Sequence, residues 1–199
     1  MSVGPVGRLG RWAATHARAV FALWAVLVVA FGALAPRAEH ALSGAGWQDS
    51  GSESVAARDM IQANFGGQAS TALMVVIHSD TRTVADPAFA NAVQQTQGLL
   101  EGDRAIATVT PPAAGATISE DGHTAVVMAG AVGNPTEMVR AADRLKGPLA
   151  DVGTSGVTVS LTGSSGMWSD FNEANKSAML KSEVLSWPVT LAILVLAFG

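Results

Sequence analysis

The sequence predicts an α+β membrane protein in which a βαββαβ domain lies between one transmembrane helix and the start of a second. Three observations carry this. Two uncharged apolar runs stand near the ends of the 199-residue chain, at residues 19–35 and 184–199. Charged residues make up only 14% of the chain, against about 25% in ordinary soluble domains. Between the runs, stretches of period-two and period-four apolarity alternate, bounded by glycine, proline and cap residues.

Residues 1–18 carry Arg8, Arg11 and Arg18 and no acid, so the positive-inside rule puts them in the cytoplasm. The first run reads AVFALWAVLVVAFGALA, the short end of the transmembrane range, and the span is placed at residues 19–36. Ala33-Leu34-Ala35 also suits signal-peptide cleavage. Pro36 at the junction and a run longer than the usual signal core favour a retained anchor. Residues 37–183 then form an extracytoplasmic domain.

GSESVAARDMIQANFGG, residues 51–67, predicts a helix capped by Ser52 or Ser54, with Ala57, Ile61 and Phe65 on one face. Residues 71–79, TALMVVIHS, read as a buried central strand. Asp86-Pro87 opens a helix that turns Phe89, Val93 and Leu100 to the core. Residues 105–110 form a second strand, ended by Pro111-Pro112. Asp121-Gly122 turns a short stretch near Ile118 into a third strand at 123–132. Asn134-Pro135-Thr136-Glu137 approaches a capping box. The helix it opens has Met138, Ala142, Leu145 and Leu149 inward, and Gly147-Pro148 is expected to kink or fray its end. Residues 157–163 make a fourth strand. This order favours a ferredoxin-like split βαβ sandwich, two helices on one face of an antiparallel sheet. From Ser164 one long helix is expected to lead back to the membrane, entering it near Trp187-Pro188.

The residues exclude several functions. With no cysteine, thiolate sites and disulfides are impossible. All 16 acids lie from Glu39 to Glu183 with nine of the 12 basic residues, so this segment is net negative and does not suit nucleic acid. His16, His40, His78 and His123 are scattered without metal-ligand spacing, and His78 and His123 read as solvated edge residues. GSSG, residues 163–166, is not G-x-S-x-G and reads as a turn with Ser164 or Ser165 as helix cap. GAGWQDSGSES, residues 44–54, lacks the lysine of a phosphate loop. Glu120-Asp121 is a solvated hairpin tip. Glu183 abuts the apolar run, either facing a polar cavity or solvated at the interface. No nucleophile-base or metal constellation suggests an enzyme, and nothing calls for a cofactor.

Three stretches carry a resemblance. GWQDSGSESVAARDMIQANFGG, residues 46–67, resembles the segment after the first membrane helix of the MMPL family, large proteins of the resistance-nodulation-division superfamily. LTGSSGMWSDFNEANKSAMLKSE, residues 161–183, is similar to that family's approach to its second membrane helix, with Thr162-Gly163, Asp170-Phe171 and Ser182-Glu183 matching. WPVTLAILVLAFG, residues 187–199, resembles the start of that helix. Ala178 departs from the acid of many members.

The resemblance implies the N-terminal part of a proton-driven exporter of lipids or hydrophobic compounds, with residues 184–199 as a truncated second membrane helix. Its proton-relay residues would lie outside this chain, so this part is expected to be inactive alone. The implied partners are the lipid bilayer, a lipid or hydrophobic substrate, and the missing remainder of the transporter. Trp47, Met167, Trp168 and Phe171 would line the substrate path or pack against the neighbouring half. The alternative is a standalone membrane-tethered α/β binding or scaffold module without transport.

Overall fold

In a computed structural model, residues 4–42, 49, 51–154 and 156–198 are described. The chain divides into two units, residues 1–43 and 44–199.

The first unit holds two helices, α1 (Pro5–Thr15) and α2 (Ala17–Leu42). The sequence reading had no helix before residue 19. Helix α2 also runs beyond the expected limit at residue 36. At about 39 Å it is longer than a bilayer core of about 30 Å, so its last turns need not lie in lipid. The window Ala17–Leu34 is long and apolar enough to cross a membrane, and none of it is buried.

The second unit begins with α3 (Glu53–Asn64), where the Ser52 hydroxyl accepts from the Val55 amide. The sheet consists of β1 (Leu73–His78), β2 (Ile106–Thr110), β3 (Thr124–Ala131) and β4 (Thr158–Thr162), in the order β2-β3-β1-β4 with every pairing antiparallel. The apolar run of β1 thus lies between two neighbours, with Leu73, Val75 and Ile77 fully buried. Helices α4 (Pro87–Glu101) and α5 (Pro135–Val152) cover one face. Phe89 and Leu100 from α4, and Met138, Ala142, Leu145 and Leu149 from α5, join the strand residues in one core.

Local chemistry sets the boundaries. The capping box of α5 is complete: Asn134 Oδ1 accepts from the Glu137 amide at 3.0 Å, and Glu137 Oε2 accepts from the Asn134 amide at 2.9 Å. Asp86 occupies the N-cap position of α4 but its side chain makes no capping bond; the carboxylate accepts from the Thr83 amide at 2.9 Å, closing the preceding turn. Pro148 does not end α5, which continues to Val152. Leu149, fully buried in the next position, holds that last turn against the core despite the lost backbone donor.

His123 is not a free edge residue. Its Nδ1 lies 2.7 Å from the Arg82 carbonyl and 2.9 Å from that of Ser79, so it donates to them and pins the turn after β1. His78 contacts Thr124 Oγ1 at 2.9 Å and Asp80 at 3.2 Å.

Helix α6 (Ser164–Phe198) is continuous over 35 residues and passes through Pro188. At about 52 Å it exceeds the bilayer core. One stretch can therefore pack on the domain while the apolar stretch lies in lipid.

Candidate substrate-path surface

The first turns of α6 have two faces. Ser165, Gly166 and Ser169 are buried against the domain. Met167 and Phe171 are exposed, at 66% and 55%, and Trp168 is half-buried. Both sets follow the i, i+1, i+4 or i, i+4 spacing of one helix face. Small residues inside let the helix approach, and Gly166 lies against Leu161 of β4. The large apolar residues are left outside.

Polar contacts fix this orientation. The chain turns at Gly163, whose φ of +92° suits glycine. The Met167 amide donates to the Gly163 carbonyl, placing Gly163, not a serine, at the start of the helix. Sequence reasoning expected Ser164 or Ser165 to cap. Instead Ser164 Oγ donates to the Ser70 carbonyl, and Ser165 Oγ to that of Thr71 at 3.0 Å. Both hydroxyls stitch α6 to the segment entering β1. Ser169 Oγ donates to Asp143 of α5.

Lys146 of α5 completes the attachment, with Nζ 2.7 Å from both Asp170 Oδ1 and Glu173 Oε2. These carboxylates, Asp170 first, raise the lysine above its ordinary pKa of 10.5. Asp170 and Glu173, unassigned from sequence, thus clamp the helix.

Trp168 and Phe171 meet edge to face with ring centroids 5.4 Å apart. With Met167 they make a polarizable apolar surface suited to acyl chains or another protein face. Trp47 lies outside the described residues. Glu183 is exposed, as is the Glu120-Asp121 tip. At that tip, the Ser119 hydroxyl and then the His123 amide, both donating to the carboxylate, hold Asp121 below its ordinary pKa. Among the described residues no three His, Asp or Glu side chains form a metal-binding group. An open cleft of about 430 Å³ between α4 and α5, lined by Gln95, Leu99, Pro148 and Val152 among others, contains none of the expected site residues.

The MMPL family model matches residues 46–199. The chain belongs to the MMPL family. The recognised stretches on α3, α6 and the terminal apolar run all fall within the match. MMPL proteins are membrane transporters, so this chain is a transporter-related part, and its apolar N-terminal helix agrees with a membrane location. A solved structure, "Mycobacterial membrane protein MmpL11D2", is similar at 14% identity, covering 45% of this chain and 99% of that one, with a TM-score of 0.35. No curated protein matches the chain.

Proposed function

We propose that this MMPL chain contributes the first membrane helix and first extracytoplasmic substrate-path domain of a proton-driven exporter of lipids or hydrophobic compounds. The family match over residues 46–199 carries the reading. Two further features support it. Helices α2 and α6 are both long and apolar enough to cross a membrane. The three arginines before residue 19, without an acid, favour a cytoplasmic N-terminus and so an extracytoplasmic sheet domain. The sheet order β2-β3-β1-β4, with α4 and α5 on one face, suits a ferredoxin-like domain.

Met167, Trp168 and Phe171 form the substrate-facing surface in this reading. They present apolar area outside the core, on a helix whose other end is apolar enough for lipid. Proton coupling needs titratable groups in the membrane, and neither residues 19–35 nor residues 184–199 contain one. The chain alone therefore moves no substrate.

The test places a photoreactive benzoylphenylalanine at Phe171 of the chain in membranes containing an alkyne-tagged lipid. Adducts should form at Phe171 well above those from the same group at Glu120 on the hairpin tip. Equal labelling at both sites refutes a lipid-facing path. Proton or lipid flux from the chain alone in liposomes, above that of empty vesicles, refutes its dependence on further segments.

A further inference from the structure

Helix α1 has a sharper division of faces than its length suggests. At 100° per residue, Leu9 and Ala13 fall on one side, Arg8, Arg11 and Thr15 on the other, and Trp12 at the border. Leu9 and Trp12 are 66% and 50% exposed, so they are not buried on α2. No acid occurs before Glu39, and Arg18 adds a third positive charge at the start of α2.

The break after α1 is built. His16 leaves helical geometry at φ −117°, ψ 39°. The Thr15 hydroxyl lies 3.0 Å from the carbonyls of both Arg11 and Trp12, and His16 Nδ1 lies 3.0 Å from that of Trp12. The His16 ring stacks on Trp12 at 5.0 Å. The Arg11 and Trp12 carbonyls thus take side-chain bonds at the corner, the His16 amide also donates to the Trp12 carbonyl at 2.9 Å, and α2 starts afresh at Ala17.

We infer that α1 lies in the headgroup layer beside the entry of α2 and binds an anionic lipid surface. This rests on the reading that α2 spans the bilayer. The covalent link argues for lipid as the occupant: α1 ends two residues before the span begins, so the membrane surface is already beside it. The chemistry agrees. An apolar side enters the acyl boundary, a tryptophan sits at the interface, and arginines face phosphate. Each arginine near an anionic leaflet favours binding by about fivefold.

The chain has no cysteine, so single cysteines can carry spin labels without background. Leu9→Cys, Gly7→Cys and Val26→Cys would be labelled in the full chain in nanodiscs of zwitterionic lipid, with or without anionic lipid. Collision with oxygen and with a water-soluble nickel chelate reads depth. In anionic discs Leu9→Cys should be shielded from nickel and Gly7→Cys open to it. The Leu9→Cys shielding should fall in zwitterionic discs, and adding Arg8→Gln and Arg11→Gln should abolish the lipid difference. Nickel access at Leu9→Cys in anionic discs, with Val26→Cys shielded, overturns the inference while leaving the span intact. Equal shielding in both lipids overturns the anionic preference. Nickel access at Val26→Cys shows that the spanning reading failed, and the inference falls with it.

Discussion

Replacing Gly130 by alanine should open the sheet at the end of β3, where the segment after α3 meets it. A Cβ at residue 130 would lie 2.0 Å from the Gly66 carbonyl oxygen and 2.8 Å from Thr108 Oγ1. The backbones would have to part by about 1 Å to restore normal contact. That movement breaks the bond from the Ala131 amide to the Gly67 carbonyl, 2.9 Å long, and strains the one from Thr108 Oγ1 to the Gly66 carbonyl, 2.6 Å long. Ala131 is buried, so its amide finds no ready replacement in water. An orphaned buried amide costs about 1–3 kcal/mol, and overpacking costs about 1–3 kcal/mol. About 3 kcal/mol in all corresponds to roughly a 100-fold loss of amide protection. Hydrogen exchange of the full chain in detergent should show this loss at residues 66–72, 105–110 and 128–132. Gly98→Ala is the control: it lies inside α4 with nothing within 4 Å, and should stabilise by about 0.5–1 kcal/mol. Unchanged protection in Gly130→Ala refutes the close approach of these backbones.

Thr96 is fully buried in α4 and its hydroxyl has no hydrogen-bond partner among the described residues. Thr96→Val should therefore raise thermal stability by about 1 kcal/mol, and a lowered melting temperature refutes an unsatisfied hydroxyl there. Asn134→Ala removes half of the capping box and should cost about 1 kcal/mol in urea unfolding, with faster exchange confined first to the start of α5. Lys146→Met keeps the stem and removes the charge from α6's clamp. Asp170 and Glu173 are well exposed, so the loss is under about 1 kcal/mol and shrinks with salt. Because folding raises the Lys146 pKa, its contribution is full below 10.5 and disappears as pH rises through the higher folded value. A gap between wild type and Lys146→Met that persists undiminished beyond that range contradicts the clamp.

Elements with local signals were legible in the sequence. The β-branched run of residues 71–79 became the central strand, Asn134 through Glu137 became a capping box, and the inward residues named for α5 are all in the core. These follow from periodicity and caps, which depend on neighbours a few residues away. Helix α1 was missed because Gly7 and Gly10 lower helix propensity and the helix is only 11 residues long. Gly147-Pro148 was expected to kink or fray the end of α5 because its local cost is visible in sequence, whereas the burial of Leu149, which holds the last turn, is tertiary.

The surface around Met167 and Phe171 was half legible for the same reason. The aromatic and methionine residues drew attention by size, yet what gives them their exposure is the opposite face. Ser165, Gly166 and Ser169 turn inward, and their partners Thr71, Leu161 and Asp143 are distant or on other elements. The same i, i+1, i+4 pattern of small residues is readable in the sequence, but only as a second stripe whose direction the fold decides. Lys146 sits 24 and 27 residues before Asp170 and Glu173, so its two ion pairs follow only after α5 and α6 are packed. The attachment of α6 is therefore a tertiary feature laid on a local one. Helical spacing separates the two stripes, and the serine hydroxyls and Lys146 select the one that faces the domain, leaving Met167 and Phe171 outside on the stretch that precedes the apolar run.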